Sequence, residues 1–497
     1  VNWLDPQLST PLLDFLLDNL EQATIPFYTP GHKRGRGTSK RISNLLGHQV
    51  FQYDLPDLPG LSLFEGEGAI ADAQKLAAEA FGADRTWFLV NGSTCGVMAA
   101  MMATCNPGDK IILPRNIHKS AIAGLILSGA HPVFVMPEYD PLLDLSHSVT
   151  PDAIGQALAQ HPDAKAVMVV YPTYHGVCGD IESIARCVHQ HDIPLLVDEA
   201  HGAHFAFHRD LPKPALVAEA DLVVQSTHKL LSAMTQASML HLQGSRVDST
   251  RVNKALQLLQ STSPSNLLLA SLDAARQQMA TQGEMLMERT IKLAQTARSR
   301  IEQISDLSVL KPEQAITPGF HALDSTRLTV TVSGLGIDGF TTDEIFDQKL
   351  GITAELPTLQ HLTFIVTLGN TEEDIERLVE AFEQLSKEFR KEEKIHKISN
   401  SQSPIPNRQS PYLSPRDAFF SPTETVSIED AIDRISAETI CPYPPGIPIL
   451  LPGEKITADA IAFLQKVLAV GGFISGCADE SLKTLQVISD KRVGSRE

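Results

Sequence analysis

The chain lacks any apolar stretch able to cross a membrane, and it has few cysteines for its length. The apolar run Val97–Cys105 stops at Asn106-Pro107, well short of the roughly 18 uninterrupted apolar residues of a span. The opening Val1-Asn2-Trp3-Leu4-Asp5 has neither the basic end nor the apolar core of a signal peptide. Six cysteines in 497 residues, none in a C-x-x-C pair, make no disulfide framework. They are expected as reduced, mostly buried thiols of a cytoplasmic protein. His201 and His204 are close, but no second pair at ligand spacing completes a tetrahedral set, so no zinc site is expected. Basic residues are also short: 41 Lys and Arg against 59 Asp and Glu leave a net charge of −18. That balance argues against nucleic acid as a partner and is compatible with a cationic small-molecule substrate.

What is present reads as an ordinary globular chain, 43% hydrophobic and 20% charged, long enough for about three domains. Residues 1–60 read as an N-terminal arm. A helix begins at Ser9-Thr10-Pro11 with Leu12, Leu13, Leu16 and Leu20 as its apolar stripe. Pro26-Phe-Tyr-Thr-Pro-Gly-His-Lys33 is too rich in proline and glycine for a helix or central strand. Over 61–305, short apolar strands (Thr86–Val90, Lys110–Leu113, Pro132–Met136, Ala166–Val170, Pro194–Val197, Leu222–Val224) alternate with helical stretches such as Ala69–Phe81 and Thr94–Thr104. That pattern predicts an α/β domain with a mainly parallel sheet. A long amphipathic helix carrying Leu286, Leu293, Ala297, Ile301 and Ile304 closes it. Residues 306–390 predict a small α+β unit with strands Arg327–Val332 and Leu362–Thr367 and helices Thr342–Leu350 and Thr371–Phe389. Residues 391–411 read as a linker, and 412–497 as a C-terminal domain.

Four features carry chemistry. In Asp221-Leu-Val-Val-Gln-Ser-Thr-His-Lys229 a buried strand gives way to polar residues, and ligands of open α/β sheets bind beyond strand carboxyl ends. Lys229 there can be partly desolvated and attack a carbonyl to form a Schiff base. Pro194-Leu-Leu-Val-Asp198 places Asp198 at a second such end, where its carboxylate can keep a pyridine nitrogen protonated. Asn91-Gly92-Ser93-Thr94 lies between a strand and a helix N-terminus, which suits a phosphate, with Ser226 and His228 as further donors. His118 follows strand Lys110–Leu113 and can lie over a flat ring. Taken singly, each reads more readily as a surface lysine, a turn aspartate, an ordinary Ser/Thr cap or a loop histidine. Together they describe a site for pyridoxal 5'-phosphate (PLP).

The wider set of motifs resembles the bacterial Orn/Lys/Arg decarboxylase family of fold-type I, aspartate aminotransferase-like PLP enzymes. It comprises Pro26–Lys33, Pro56-Asp-Leu-Pro-Gly60, Asn91–Thr94, Arg115-Asn-Ile-His-Lys-Ser120, Tyr171-Pro-Thr-Tyr-His-Gly176, Asp198-Glu-Ala-His201, Ser226-Thr-His-Lys229, Ser261-Thr-Ser-Pro-Ser265 and Tyr443-Pro-Pro-Gly-Ile-Pro448. The resemblance spans almost the whole chain and implies a mainly parallel, seven-stranded type of sheet with smaller α+β domains. It implies that Lys229 holds PLP, Asp198 meets the ring nitrogen, His118 stacks on one ring face and Ala200 packs on the other. Ser93, Thr94, Ser226 and His228 would hold the phosphate. His201 would approach the phenolic oxygen or the substrate carboxylate, and Thr262 the phosphate of a neighbouring subunit in a homodimer. The Pro-Gly-His-Lys segment begins at residue 30, so the likeness is to the short, wingless form. Histidine stands at position 201 where some long members have tryptophan.

The implied activity is decarboxylation of a basic L-amino acid, arginine ahead of lysine or ornithine, in polyamine biosynthesis. An aminotransferase or aldol-type lyase would share the same PLP residues, and fold alone does not choose between them. A non-catalytic PLP-binding regulator would lack a reason to keep Lys229, Asp198 and His118. A basic head group needs an anion. Glu454, in Leu451-Pro-Gly-Glu454 after a proline-rich stretch, is the expected partner against the alternative of a solvated turn glutamate, with Glu65 and Glu67 in reserve.

Overall fold

The structure, a computed structural model, describes residues 5–21, 25–56, 61–389, 411–443, 446–469 and 471–489. Most of the Pro56–Gly60 motif, the expected linker up to residue 410, and Pro444 and Pro445 lie outside the described residues.

Seven strands form the principal sheet: β1 (Arg85–Leu89), β2 (Lys110–Pro114), β3 (His131–Val135), β4 (Ala164–Val170), β5 (Leu195–Asp198), β6 (Leu222–Gln225) and β7 (Ser238–Leu242), in the order β1-β7-β6-β5-β4-β2-β3. Six of these fall within two residues of the stretches expected from the sequence. The seventh, β7, was not anticipated, because His241 interrupts its short apolar run. In the fold that ring is wholly buried and bonded to Thr86 and Gln225, so its polarity is no obstacle to a central position. By contact density the chain divides into two compact units, Val1–Ala103 with Asp198–Met287, and Thr104–Val197 with Glu288–Glu497.

In the first unit β7 runs antiparallel to β1, with Thr86 opposite His241, and antiparallel to β6, with Met239 opposite Gln225. The helix Gly92–Thr104 packs closely on this sheet because Gly96 has no side chain. A Cβ there would lie 2.8 Å from both Leu89 and Val224. The arm helix Pro11–Glu21 buries Leu12 and Leu16. Its first turn is held by Asp273, which accepts the Leu12 N–H at 3.0 Å, a carboxylate at the positive end of a helix. Arg276 donates to the carbonyls of Gln7 and Ser9. Both residues lie in the long helix Asn266–Ile301.

In the second unit β2 pairs parallel with β3 and β4. A four-stranded antiparallel sheet follows, made of β8 (Ser308–Val309), β9 (Arg327–Thr331), β10 (Leu356–Pro357) and β11 (His361–Ile365) in the order β8-β9-β11-β10. Val330 and Leu362 share one core with Phe382 and Leu385 of helix Glu372–Phe389. The helix expected over Thr342–Leu350 starts earlier, at Gly339 after an Asp338 cap, and passes into a wider turn at Phe346–Leu350. Ile304 lies past the end of the long helix and packs on this core from the following turn. In the C-terminal stretch, strand Thr423–Ser427 pairs with Thr484–Ile488, and Cys441–Tyr443 with Phe473–Ser475. Helix Ala458–Ala469 closes a core of Ile440, Leu450, Ile461 and Leu464. All six cysteines are free thiols, four of them buried. No helix among the described residues is long and apolar enough to cross a membrane.

Candidate active site

The first unit gathers most of the expected residues at two strand ends. β5 finishes on Asp198, whose buried carboxylate accepts the Ala200 N–H at 3.2 Å. Burial pushes its pKa up, opposed by the charge of Lys229 and by the Ala200 hydrogen bond. β6 finishes on Gln225, and the single turn Thr227–Leu230 then presents Lys229. The Lys229 Nζ lies 3.0 Å from His201 Nε2. A carboxylate, an amine and an imidazole thus meet at the carboxyl ends of adjacent chain segments, and Ala200 is buried between Asp198 and His201 in the sequence.

The cradle forms beside them. Ser226 Oγ donates to Ser93 Oγ at 2.7 Å, which joins the β6 end to the N-terminus of helix Gly92–Thr104. Gly92 has φ of 74°, the left-handed conformation that glycine adopts without strain. Thr94 is exposed in the same turn. Gln260, absent from the sequence reading, ties the Ser261–Ser265 loop to β1. Its Oε1 accepts the Val90 N–H at 2.9 Å and its Nε2 donates to the Phe88 carbonyl at 3.3 Å. Thr262 is exposed on that loop. A pair of hydroxyls, a glycine turn and a helix N-terminus suit an anionic phosphate, and the nearby lysine and buried aspartate suit an aldehyde and a pyridine nitrogen. The residues present therefore fit PLP.

His228 is placed differently from the expectation of a simple phosphate donor. Its Nδ1 faces the Ala237 carbonyl at 2.9 Å and must carry a proton to bond it. In the neutral ring Nε2 is then an acceptor. Donation to a phosphate requires the imidazolium, which burial disfavours: its pKa is lowered by burial, raised by the Ala237 bond and lowered by Lys229.

In the second unit, His118 caps helix Lys119–Ser128. Its Nδ1 accepts the Ser120 N–H at 3.2 Å, so the neutral ring carries its proton on Nε2. Glu454 is not a solvated turn residue. It is 1% exposed and forms an ion pair with Arg115 at 3.0 Å. Arg115 also donates to the carbonyls of Pro448 and Ile449, and Glu454 accepts the Leu451 N–H. Its carboxylate is already matched by a cation, so an arriving head group would have to share it. Glu65 and Glu67 are exposed in the first unit. The sequence reading passed over Arg115, though it opens the Arg115–Ser120 motif, and over Glu199, treated as a spacer after Asp198.

The strand order and the lysine-bearing strand end define an α/β enzyme of fold type I. A solved serine palmitoyltransferase with PLP shares the fold over 64% of this chain and 76% of that one, with a TM-score of 0.50 at 15% identity. The lysine decarboxylase of Francisella novicida superposes over 97% of this chain and 82% of that one, with a TM-score of 0.82 at 23% identity. The chain matches the Orn/Lys/Arg decarboxylase major domain over residues 10–374 and the C-terminal domain of the same family over 402–478. It is 39% identical to an arginine decarboxylase of Bacillus subtilis over 98% of this chain and 99% of that one. The chain belongs to the Orn/Lys/Arg decarboxylase family and is an amino-acid decarboxylase.

Proposed function

We propose that the chain is a PLP-dependent decarboxylase of a basic L-amino acid, arginine ahead of lysine or ornithine, serving polyamine biosynthesis in the cytoplasm as a homodimer or a higher oligomer of dimers. The observation that carries the reading is the Lys229 amine 3.0 Å from His201 and beside the buried Asp198, with the Ser93–Ser226 pair at a helix N-terminus. Arginine is favoured because the near full-length relative at 39% identity is an arginine decarboxylase.

When bound, PLP supplies an electron-accepting ring that takes up the electron pair left as the α-carboxylate departs as carbon dioxide. Lys229 is the covalent anchor, and His201 accepts a proton from its ammonium and leaves the amine nucleophilic. Asp198 keeps a positive charge on the ring nitrogen. Ser93, Thr94 and Ser226 hold the phosphate with the helix N–H groups, and Thr262 reaches the phosphate of the partner subunit. His118 stacks on the ring, with Nε2 as its proton-bearing edge. An aminotransferase or aldol-type lyase would share the anchoring groups, and membership of a decarboxylase family favours loss of the carboxylate. The domain limits read from the sequence (arm to 60, large domain to 305, small domain to 390, linker to 411, then the C-terminal domain) belong to the same proposal.

The test incubates the purified protein and PLP separately with arginine, lysine and ornithine, and measures carbon dioxide and the corresponding amine. Arginine should turn over fastest, without any keto-acid acceptor. Faster turnover of lysine or ornithine overturns the substrate assignment, and no carbon dioxide from any of the three overturns the basic amino-acid reading.

A further inference from the structure

Beneath the two strand ends runs a second set of polar residues that the chemistry above does not use. The Ala215 N–H donates to Glu199 Oε1 at 2.8 Å, and Gln225 Nε2 donates to Glu199 Oε2 at 2.7 Å. Gln225 Oε1 lies 3.1 Å from His241 Nε2, and His241 Nδ1 lies 2.8 Å from Thr86 Oγ1. Glu199 and His241 are fully buried, Gln225 is 1% exposed and Thr86 2%.

Proton directions along this row follow from the donor inventory. Gln225 spends its amide NH₂ on the carboxylate, so its oxygen faces His241. That ring must donate from Nε2, and in the neutral form its Nδ1 accepts the Thr86 hydroxyl. Burial pushes the His241 pKa down to about 3, which keeps the ring neutral. Both Glu199 oxygens accept N–H bonds, which favours the anion, but burial outweighs them and pushes its carboxyl up to about 8.

The row lies on the face of the sheet opposite the cradle. Thr86 sits directly across from His241, and Gln225, opposite Met239, is its diagonal neighbour. Side chains alternate along a strand. Leu89 and Val224 therefore point the other way, to where Gly96 of the cradle helix packs. The Phe81 ring covers His241 at 4.9 Å. Glu199 directly follows Asp198, and Gln225 directly precedes Ser226.

We infer that Glu199, Gln225 and His241 are positioning residues whose hydrogen-bonded row sets the spacing between Asp198 and the Ser226–Ser93 cradle. The inference rests on the PLP reading, since that spacing matters only if one ligand spans the carboxylate and the hydroxyls. An apolar row at these places would pack the strands equally well but would leave their ends held only by backbone bonds such as that from the Glu199 N–H to the Val224 carbonyl at 2.9 Å. The side-chain hydrogen bonds add a second tie between one end and the other.

The test uses Glu199→Gln, Gln225→Glu and the double exchange, each purified without PLP. Glu199→Gln sets two amide groups face to face, relieved when Gln225 turns over and the His241 proton moves to Nδ1. Gln225→Glu opposes two buried carboxyl groups. In the double exchange the new amide at 199 accepts from Ala215 and donates to the new carboxylate at 225, which accepts from His241, so every group is paired again with only the 199–225 bond reversed. The readouts are the dissociation constant for PLP by absorbance titration and the nitrogen chemical shifts of the His241 ring in the cofactor-free protein. Each single variant should bind PLP about tenfold more weakly, about the free energy of one buried hydrogen bond, Gln225→Glu because a pair is lost and Glu199→Gln because its row closes only with the directions from 199 to Thr86 reversed, and the exchange should return to near wild-type affinity. Glu199→Gln should move the His241 proton to Nδ1, and the exchange should return it to Nε2. Wild-type PLP affinity in the single variants overturns the inference. So does an exchange variant with the wild-type His241 tautomer but weak PLP binding. If Gln225→Glu does not fold, Glu199→Gln alone decides by the same two readouts. Failure of the unaltered protein to bind PLP sinks the cofactor reading itself, which separates the two failures.

Discussion

Arg115 and Glu454 stand 339 positions apart in the chain, yet their guanidinium and carboxylate lie 3.0 Å apart with both side chains out of solvent. Arg115 follows β2 directly, and its remaining bonds go to the carbonyls of Pro448 and Ile449. The C-terminal stretch is thereby pinned to the end of β2 by one buried cation. Removing one partner of such a pair leaves an uncompensated charge and costs about 3–5 kcal/mol. Glu454→Gln and Arg115→Met should each lower the unfolding midpoint markedly in thermal melts, and the double variant should lose less than the sum. If Glu454 also meets the substrate head group, Glu454→Gln raises KM for arginine with the cofactor spectrum unchanged. An unchanged KM moves that role to Glu65 or Glu67.

Lys229→Ala should abolish nearly all turnover. In the unaltered protein, borohydride should bleach the yellow colour and fix the cofactor to the single peptide containing Lys229. Normal activity in Lys229→Ala would remove this residue from the chemistry.

Asp198→Asn keeps the shape of the strand end and the bond from Ala200 while deleting the charge. PLP should remain partly bound, and turnover should fall by orders of magnitude as the ring nitrogen loses its proton more readily. Normal turnover with full PLP content would leave Asp198 a structural cap.

Buried histidines set the acid limit. Burial lowers the pKa of His175 to about 4, with Arg327 and His147 adding to the shift, and those of His361 and His241 to about 3. A histidine with a lowered folded pKa contributes stability above its unfolded value of 6.5, and that stability is lost as pH falls through the folded value. Glu199 has the opposite sign. Its pKa, raised to about 8 from 4.5, gives stability that is complete below 4.5 and lost as pH rises through about 8. Thermal midpoints measured across pH should show the difference between wild type and His241→Gln narrowing from about pH 6.5 down to 3. The difference between wild type and Glu199→Gln should shrink from pH 4.5 up to 8.

A site completed by a neighbouring Thr262 predicts subunit complementation. Thr262→Ala should weaken PLP binding modestly. Inactive Lys229→Ala subunits mixed with subunits defective at an across-interface residue should regain part of the activity, read by carbon dioxide release. A fully active monomer at assay concentration would end the shared-site reading.

The chain order of its motifs pointed to the candidate site. Lys229, Asp198, Ser93 and Ser226 each sit where an apolar run ends and polar residues begin, and such ends are the ligand side of an α/β sheet whatever the packing. The strands themselves were legible for the same reason, because runs such as Ile111–Leu113 and Leu195–Val197 are buried on both faces and leave no alternative period. What lay hidden depends on partners far away in the chain. No local signal singles out His241 in β7, whose bonds come from Thr86 and Gln225, or Gln260, whose bonds reach Phe88 and Val90. Glu454 was expected to wait for a substrate head group, and Arg115 with the Leu451 N–H makes its burial tolerable instead. A buried polar group is decided by whether a partner arrives within hydrogen-bonding distance. That distance is a property of the tertiary fold, while the end of an apolar run is a property of the local sequence.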